Sequence, residues 1–133
     1  MHYYTKEVKA NFGKFSSKWK KELIETINEE PKNLEVFEDS YFRITTLNAW
    51  KSEVLEDTLS QGSLQFLIEA QNDALTSHSL IQIGAWRSAL KSLRSVIENI
   101  VNCLYFMDHE VEYKLWELGK FRLGFTAGIN YLK

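Results

Sequence analysis

The stretch 79–106, SLIQIGAWRSALKSLRSVIENIVNCLYF, carries the most regular pattern in the chain, centred on Leu93-Arg94-Ser95-Val96-Ile97-Glu98-Asn99. Within it Trp86, Leu90, Leu93, Ile97, Ile100 and Leu104 follow at steps of 4, 3, 4, 3 and 4. Such steps return a side chain to one face of a 3.6-residue helix, so they predict a central helix with a buried apolar seam. At about 100° per residue, Arg87, Lys91, Arg94, Glu98 and Asn102 fall on a polar strip beside that seam. A charged strip flanking the most apolar helix of a small domain is the first place to look for function.

Working outward from this helix, the other patterns are helical too. Upstream, Tyr4, Val8, Phe12, Phe15, Trp19, Leu23 and Ile27 step by three or four, which predicts an amphipathic helix ending near Glu29-Glu30-Pro31. Gly13 inside it costs on the order of 1 kcal/mol, which leaves a later start at Ser16 or Ser17 open. Across 34–59, Phe37, Tyr41, Ile44, Leu47, Trp50 and Val54 fit a helix, whereas Tyr41-Phe42-Arg43-Ile44-Thr45-Thr46 has strand composition. A lone strand has nothing to pair with, so helix is preferred. Ser60-Gln61-Gly62-Ser63 reads as a break, with Ser63 as N-cap of a helix over 63–77 packed antiparallel to the central one. Thr76-Ser77-His78-Ser79 then punctuates before the central helix or kinks one longer helix. Asp108-His109 ends the central helix, and Asp108 can cap a last one carrying Val111, Leu115 and Leu118. After Gly119 the pattern loosens. The expected fold is all-α, about five helices in an up-and-down bundle forming one domain over 1–133.

Composition bounds the function. A chain of 133 residues with 44% hydrophobic and 26% charged residues is an ordinary single globular domain. The net charge of -2 argues against a broad nucleic-acid coat but hides an asymmetry. Between Lys6 and Lys21 stand six lysines against Glu7, and between Glu22 and Asp57 ten acids against Lys32, Arg43 and Lys51. The basic stretch, with Phe12, Phe15 and Trp19 between its lysines, suits a phosphate backbone or the solvated face of a helix. The acidic stretch is a natural partner for it within or between chains. Cys103 is the single cysteine, which rules out an intrachain disulfide and points to a reducing, cytoplasmic setting. It reads as a small core residue. No apolar leader follows Met1 and no uncharged apolar run of membrane-spanning length occurs, so no membrane association is expected. The chain stops at Tyr131-Leu132-Lys133 without a polar tail, as the N-terminal part of a longer protein would.

Strong chemical motifs are missing: no phosphate-binding glycine loop, no zinc-spaced cysteines or histidines, no nucleophile elbow. No cofactor or metal is expected, and His2, His78 and His109 lack ligand spacing. Trp19, Trp50, Trp86 and Trp116 read as core or interface anchors. Arg94 and Glu98, four apart, can form an ion pair that locks the bundle or a dimer contact. Alternatively the Arg94 fork is aimed at a phosphate.

The run Ala89-Leu90-Lys91-Ser92-Leu93-Arg94-Ser95-Val96-Ile97-Glu98-Asn99, followed by Asn102-Cys103-Leu104-Tyr105-Phe106, resembles the conserved helix of HEPN-like domains, in a divergent branch with a Leu-Arg-Ser-x-x-Glu run. The resemblance spans roughly 63–118. It implies a compact, dimeric helical bundle of the kind found in toxin–antitoxin and anti-phage systems, where many members are metal-independent endoribonucleases. Their motif is an Arg, four residues, then a His, in which the Arg stabilises the phosphate transition state and the His moves protons. Counting from Arg94, that place holds Asn99, which has no titratable proton near neutral pH. His109, past the helix end, is the remaining candidate. Arg94, Asn99 and His109 are therefore the candidate catalytic set, and Arg87, Lys91, Glu98 and Asn102 the candidate binding set. The expectation is a homodimeric module with a degraded motif that binds RNA or a protein; the alternatives are an active ribonuclease and a structural adaptor.

Overall fold

The computed structural model describes residues 2–28 and 34–133, with residues 2–4 by their backbone alone. Among the described residues there are six α-helices and no strand: α1 (His2–Asn28), α2 (Leu34–Trp50), α3 (Gln61–Gln82), α4 (Trp86–Asp108), α5 (Glu110–Glu117) and α6 (Phe125–Tyr131). The all-α expectation holds, with one short helix more than about five, because Gly124 stands before α6 instead of dissolving it. The preference for helix over strand across 34–50 also holds. A single π turn, Lys51–Leu55, continues α2.

An αα-hairpin of α3 and α4 forms the centre. Phe66 stacks on Phe106, Asp73 faces Asn99, and Ser77 donates to the Ala89 carbonyl at 2.9 Å. Residue numbers that rise on α3 as they fall on α4 define an antiparallel pair, as expected. The turn between them falls later than the polar run 76–79 suggested. Gly84 lies at φ 72°, its N–H donates to Ile81 at 3.0 Å and the Ala85 N–H to Leu80 at 2.8 Å. This is a Schellman cap, which needs the left-handed conformation that glycine adopts without a Cβ penalty. The polar run is accommodated inside α3: the Ser77 hydroxyl is buried on α4, and Ser79 donates to the Leu75 carbonyl at 2.9 Å. The central helix therefore begins at Trp86, not at Ser79.

Two further termini differ from the sequence reading. Ser60 caps α3: its hydroxyl accepts from the Ser63 N–H at 3.2 Å, while Ser63 itself is buried in the first turn. Asp108 does not cap α5, since its carboxylate accepts the Tyr131 hydroxyl and His109 occupies the cap position. Glu110 and Glu112 instead supply negative charge to the first turn of α5, where the helix dipole favours it.

The core is aromatic and lies at one end of the hairpin. Phe66 and Phe106 stack with centroids 5.4 Å apart, Trp116 meets Phe66 edge-on at 4.9 Å, and Cys103 and Leu67 complete the buried cluster. Gly62 permits this closeness, because a Cβ there would fall within the Tyr113 ring. Burial on α4 belongs to Ala89, Val96, Val101, Cys103 and Phe106, and the seam read from the sequence is not the buried one. Trp86 is 61% exposed and Leu90 64%, and Leu93, Ile97 and Leu104 are exposed as well. The small residues Ala89 and Cys103 let α3 approach closely, so packing selects that face over the one with larger side chains. All four tryptophans are likewise exposed, Trp116 the least, with its ring edge-on to Phe66.

Helix α1 runs unbroken through Gly13, so its start is not at Ser16 or Ser17. It shares no substantial packing with another helix, and the bundle is built from the remaining five. Its expected end at Glu29-Glu30-Pro31 lies outside the described residues.

Candidate functional site

Along α4 the polar strip forms the wall of a small open pocket. Arg94, Glu98, Val101 and Asn102 come from α4 and Leu123 and Phe125 from the C-terminal segment, around a cavity of about 230 Å³. Gly128 allows the C-terminal segment to lie this close, since a Cβ there would meet Val101. Three of the residues singled out in the sequence therefore meet at one site. Leu123 and Phe125 had not been anticipated; they follow Gly119, which caps α5 with φ 68°, and no periodicity survives beyond it.

Arg94 Nε donates to Glu98 Oε1 at 2.7 Å, and among the described residues no other acceptor engages the guanidinium. The Arg94 side chain is 79% exposed. Its remaining donors point to solvent, and an exposed pair of this kind contributes about 0.2–1 kcal/mol. Asn102 is half-buried with its amide unengaged among the described residues. Lys91 and Arg87 are exposed one and two turns earlier on the same side. The strip thus carries three cations against one carboxylate, which suits weak, electrostatic grip on an anionic chain.

The other two members of the candidate catalytic set are placed elsewhere. Asn99, about 140° round the helix from Arg94, donates to Asp73 Oδ2 at 3.0 Å and lies 3.5 Å from the Ser95 hydroxyl. His109 is fifteen residues beyond Arg94, about 22 Å of helical rise. Its ring stacks on Tyr105 with centroids 4.0 Å apart, meets Tyr131 edge-on, and its Nδ1 lies 2.8 Å from the Tyr105 carbonyl. Within one chain, Arg94 has neither group beside it.

His78, part of the polar run at 76–79, is a helix-packing residue. Its Nδ1 lies 3.2 Å from the Ser40 hydroxyl and its Nε2 2.9 Å from Gln82 Nε2, and Phe37 packs against the ring. It ties α2 to α3, a role to which no sequence spacing points.

Cys103 is buried and its thiol is pushed up to about 11 by desolvation. A neutral thiol without an activating base is a core residue, in keeping with the sequence reading. Among the described residues no group of three or more His, Cys, Asp or Glu is placed to hold a metal ion, and no helix is long and apolar enough to cross a membrane. Compared with protein-family models, with curated proteins and with solved structures, the chain matches none.

Proposed function

We propose that this chain is a HEPN-like helical module that binds without cutting, with single-stranded RNA held at the Arg87–Lys91–Arg94–Asn102 strip. One observation carries the reading: Arg94 stands open at a pocket, while Asn99, at the place of the motif's histidine, has no proton to move and His109, the remaining acid–base candidate, is engaged elsewhere. Arg94 is then a binding residue, whose guanidinium takes a phosphate in competition with Glu98. A reducing, cytoplasmic setting belongs to the same reading, since Cys103 is a free thiol. A place in a bacterial defence or toxin system rests on the resemblance of 89–106 alone.

The test is fluorescence anisotropy of a labelled single-stranded RNA in EDTA, with the products run on a gel. Binding should weaken with salt at a slope of about −2, as expected for two to three phosphate contacts. It should fall in Arg94→Ala, with the RNA intact. Cleavage that disappears in Arg94→Ala would establish an active ribonuclease instead, and no binding by the native chain would remove RNA as the ligand.

A further inference from the structure

Far more surface is exposed than a chain of this size needs to expose. A compact monomer of 15.6 kDa has an accessible surface of about 7,250 Å², whereas this chain has 10588 Å². The surplus of roughly 3,300 Å² exceeds the ~800 Å² that each partner contributes to an ordinary stable interface. Two features leave apolar side chains uncovered.

The first is an apolar groove. Helices α2 and α4 both flank α3 without packing substantially on each other, and two cavities of about 330 and 420 Å³ lie between them, lined by successive turns of both helices. Leu93, Ile100 and Leu104 of α4 form one wall, Ile44, Leu47 and Trp50 of α2 the other. The exposed seam of Trp86, Leu90 and Ile97 continues the α4 wall outward.

The second is α1, whose apolar stripe is uncovered: Phe12 is 68% exposed, Phe15 66% and Trp19 52%. From Val8 to Leu23 the stripe is about 22 Å long, and Leu93 to Met107 on the groove wall spans about 21 Å. The charges also match. Helix α1 carries six lysines against Glu7, Glu22 and Glu25, while α2 and the residues after it to Asp57 carry six acids against Arg43 and Lys51.

We propose that the groove between α2 and α4 of one copy receives helix α1 of a second copy, and reciprocally, making an interlocked homodimer. An amphipathic helix laid in an apolar groove is a recurrent recognition mode, and reciprocal exchange is closed by two-fold symmetry. The Arg87–Asn102 strip lies on the other side of the α4 seam and stays open in this dimer. The inference does not depend on what Arg94 binds.

The experiment is sedimentation equilibrium of the full chain at micromolar concentration, with two variants at exposed positions. The native chain should have twice the 15.6 kDa mass. The helix variant (Phe15→Asp with Trp19→Asp) and the groove variant (Leu93→Asp with Leu104→Asp) should each be monomeric, with helical circular dichroism retained. Mixed together they should recover a dimer, because one intact helix–groove contact remains. A monomeric native chain would overturn the proposal, whether α1 closes on its own groove or binds phosphatidylserine vesicles. A dimer indifferent to the helix variant would place the contact on the α4 seams instead. Failure of the mixture to complement would point to pairing of the α1 helices.

Discussion

Asn99 donates its side-chain amide to Asp73 Oδ2 at 3.0 Å, across the α3–α4 hairpin and about 140° round α4 from Arg94. The residue standing where a ribonuclease of the HEPN kind would have its histidine is thus a strut between two helices. Asn99→Ala should destabilise the fold by about 0.5–1.5 kcal/mol, the usual net contribution of such a bond. RNA affinity should not change. Urea denaturation and anisotropy on the same variant check both halves.

Glu98 gives a prediction of opposite sign. It holds Arg94 Nε at 2.7 Å on an exposed surface, so under the RNA-binding proposal its carboxylate opposes a phosphate arriving at the remaining guanidinium donors. The pair contributes about 0.2–1 kcal/mol, and its removal should tighten RNA binding by up to about fivefold. Glu98→Ala measured beside the native chain at low salt is the check. Weaker binding in the variant would mean that Glu98 positions Arg94 instead of competing for it.

Gly62→Ala tests the packing of the aromatic cluster. In an open helix this substitution would stabilise by up to about 1 kcal/mol. Here the new methyl meets the Tyr113 ring, which sits between Phe66, Phe106 and Trp116. Overpacking costs about 1–3 kcal/mol, so thermal unfolding should show a net loss. Gly13→Ala is the control: nothing lies within 4 Å of its Cβ, and it should gain where Gly62→Ala loses.

These sites also mark what the sequence makes legible. Periodicity finds helices because it reports side chains that are apolar on one face; it marks α1, α3 and α4, whereas α2 also has strand composition and is assigned because a lone strand has no partner. Periodicity does not report which apolar face is covered. On α4 the larger residues Trp86, Leu90 and Ile97 lie outward while Ala89 and Cys103 face α3, because the separation of two helices is set by their smallest contacts. Boundaries depend on single residues whose effect is conformational. Gly84 ends α3, whereas the more conspicuous polar run at 76–79 stays helical once Ser77 finds the Ala89 carbonyl. Arg94, Glu98 and Asn102 could be placed together from their 4-residue spacing alone. Leu123 and Phe125 could not, since they reach the pocket by a tertiary contact through Gly128.

Cys103 links the core to an alkaline transition. Its thiol is buried beside Phe66 and Phe106 and is raised by desolvation from 9.0 to about 11. In the unfolded chain it ionises near its ordinary value, so above pH 9 the unfolded state loses a proton that the folded state keeps. A raised folded value therefore leaves stability complete below about pH 9 and erodes it as pH rises towards 11. Tyr131, raised by its hydrogen bond to Asp108, and Tyr113, raised by desolvation and its bond to Glu117, act in the same direction at slightly higher pH. Chemical denaturation from pH 7 to 11 should show this decline in the native chain and a shallower one in Cys103→Ala, which starts lower because of the cavity it leaves. The thiol should also resist alkylation at pH 7.5 until denaturant is added. Rapid alkylation of the folded chain at that pH would mean that the core opens locally around Cys103.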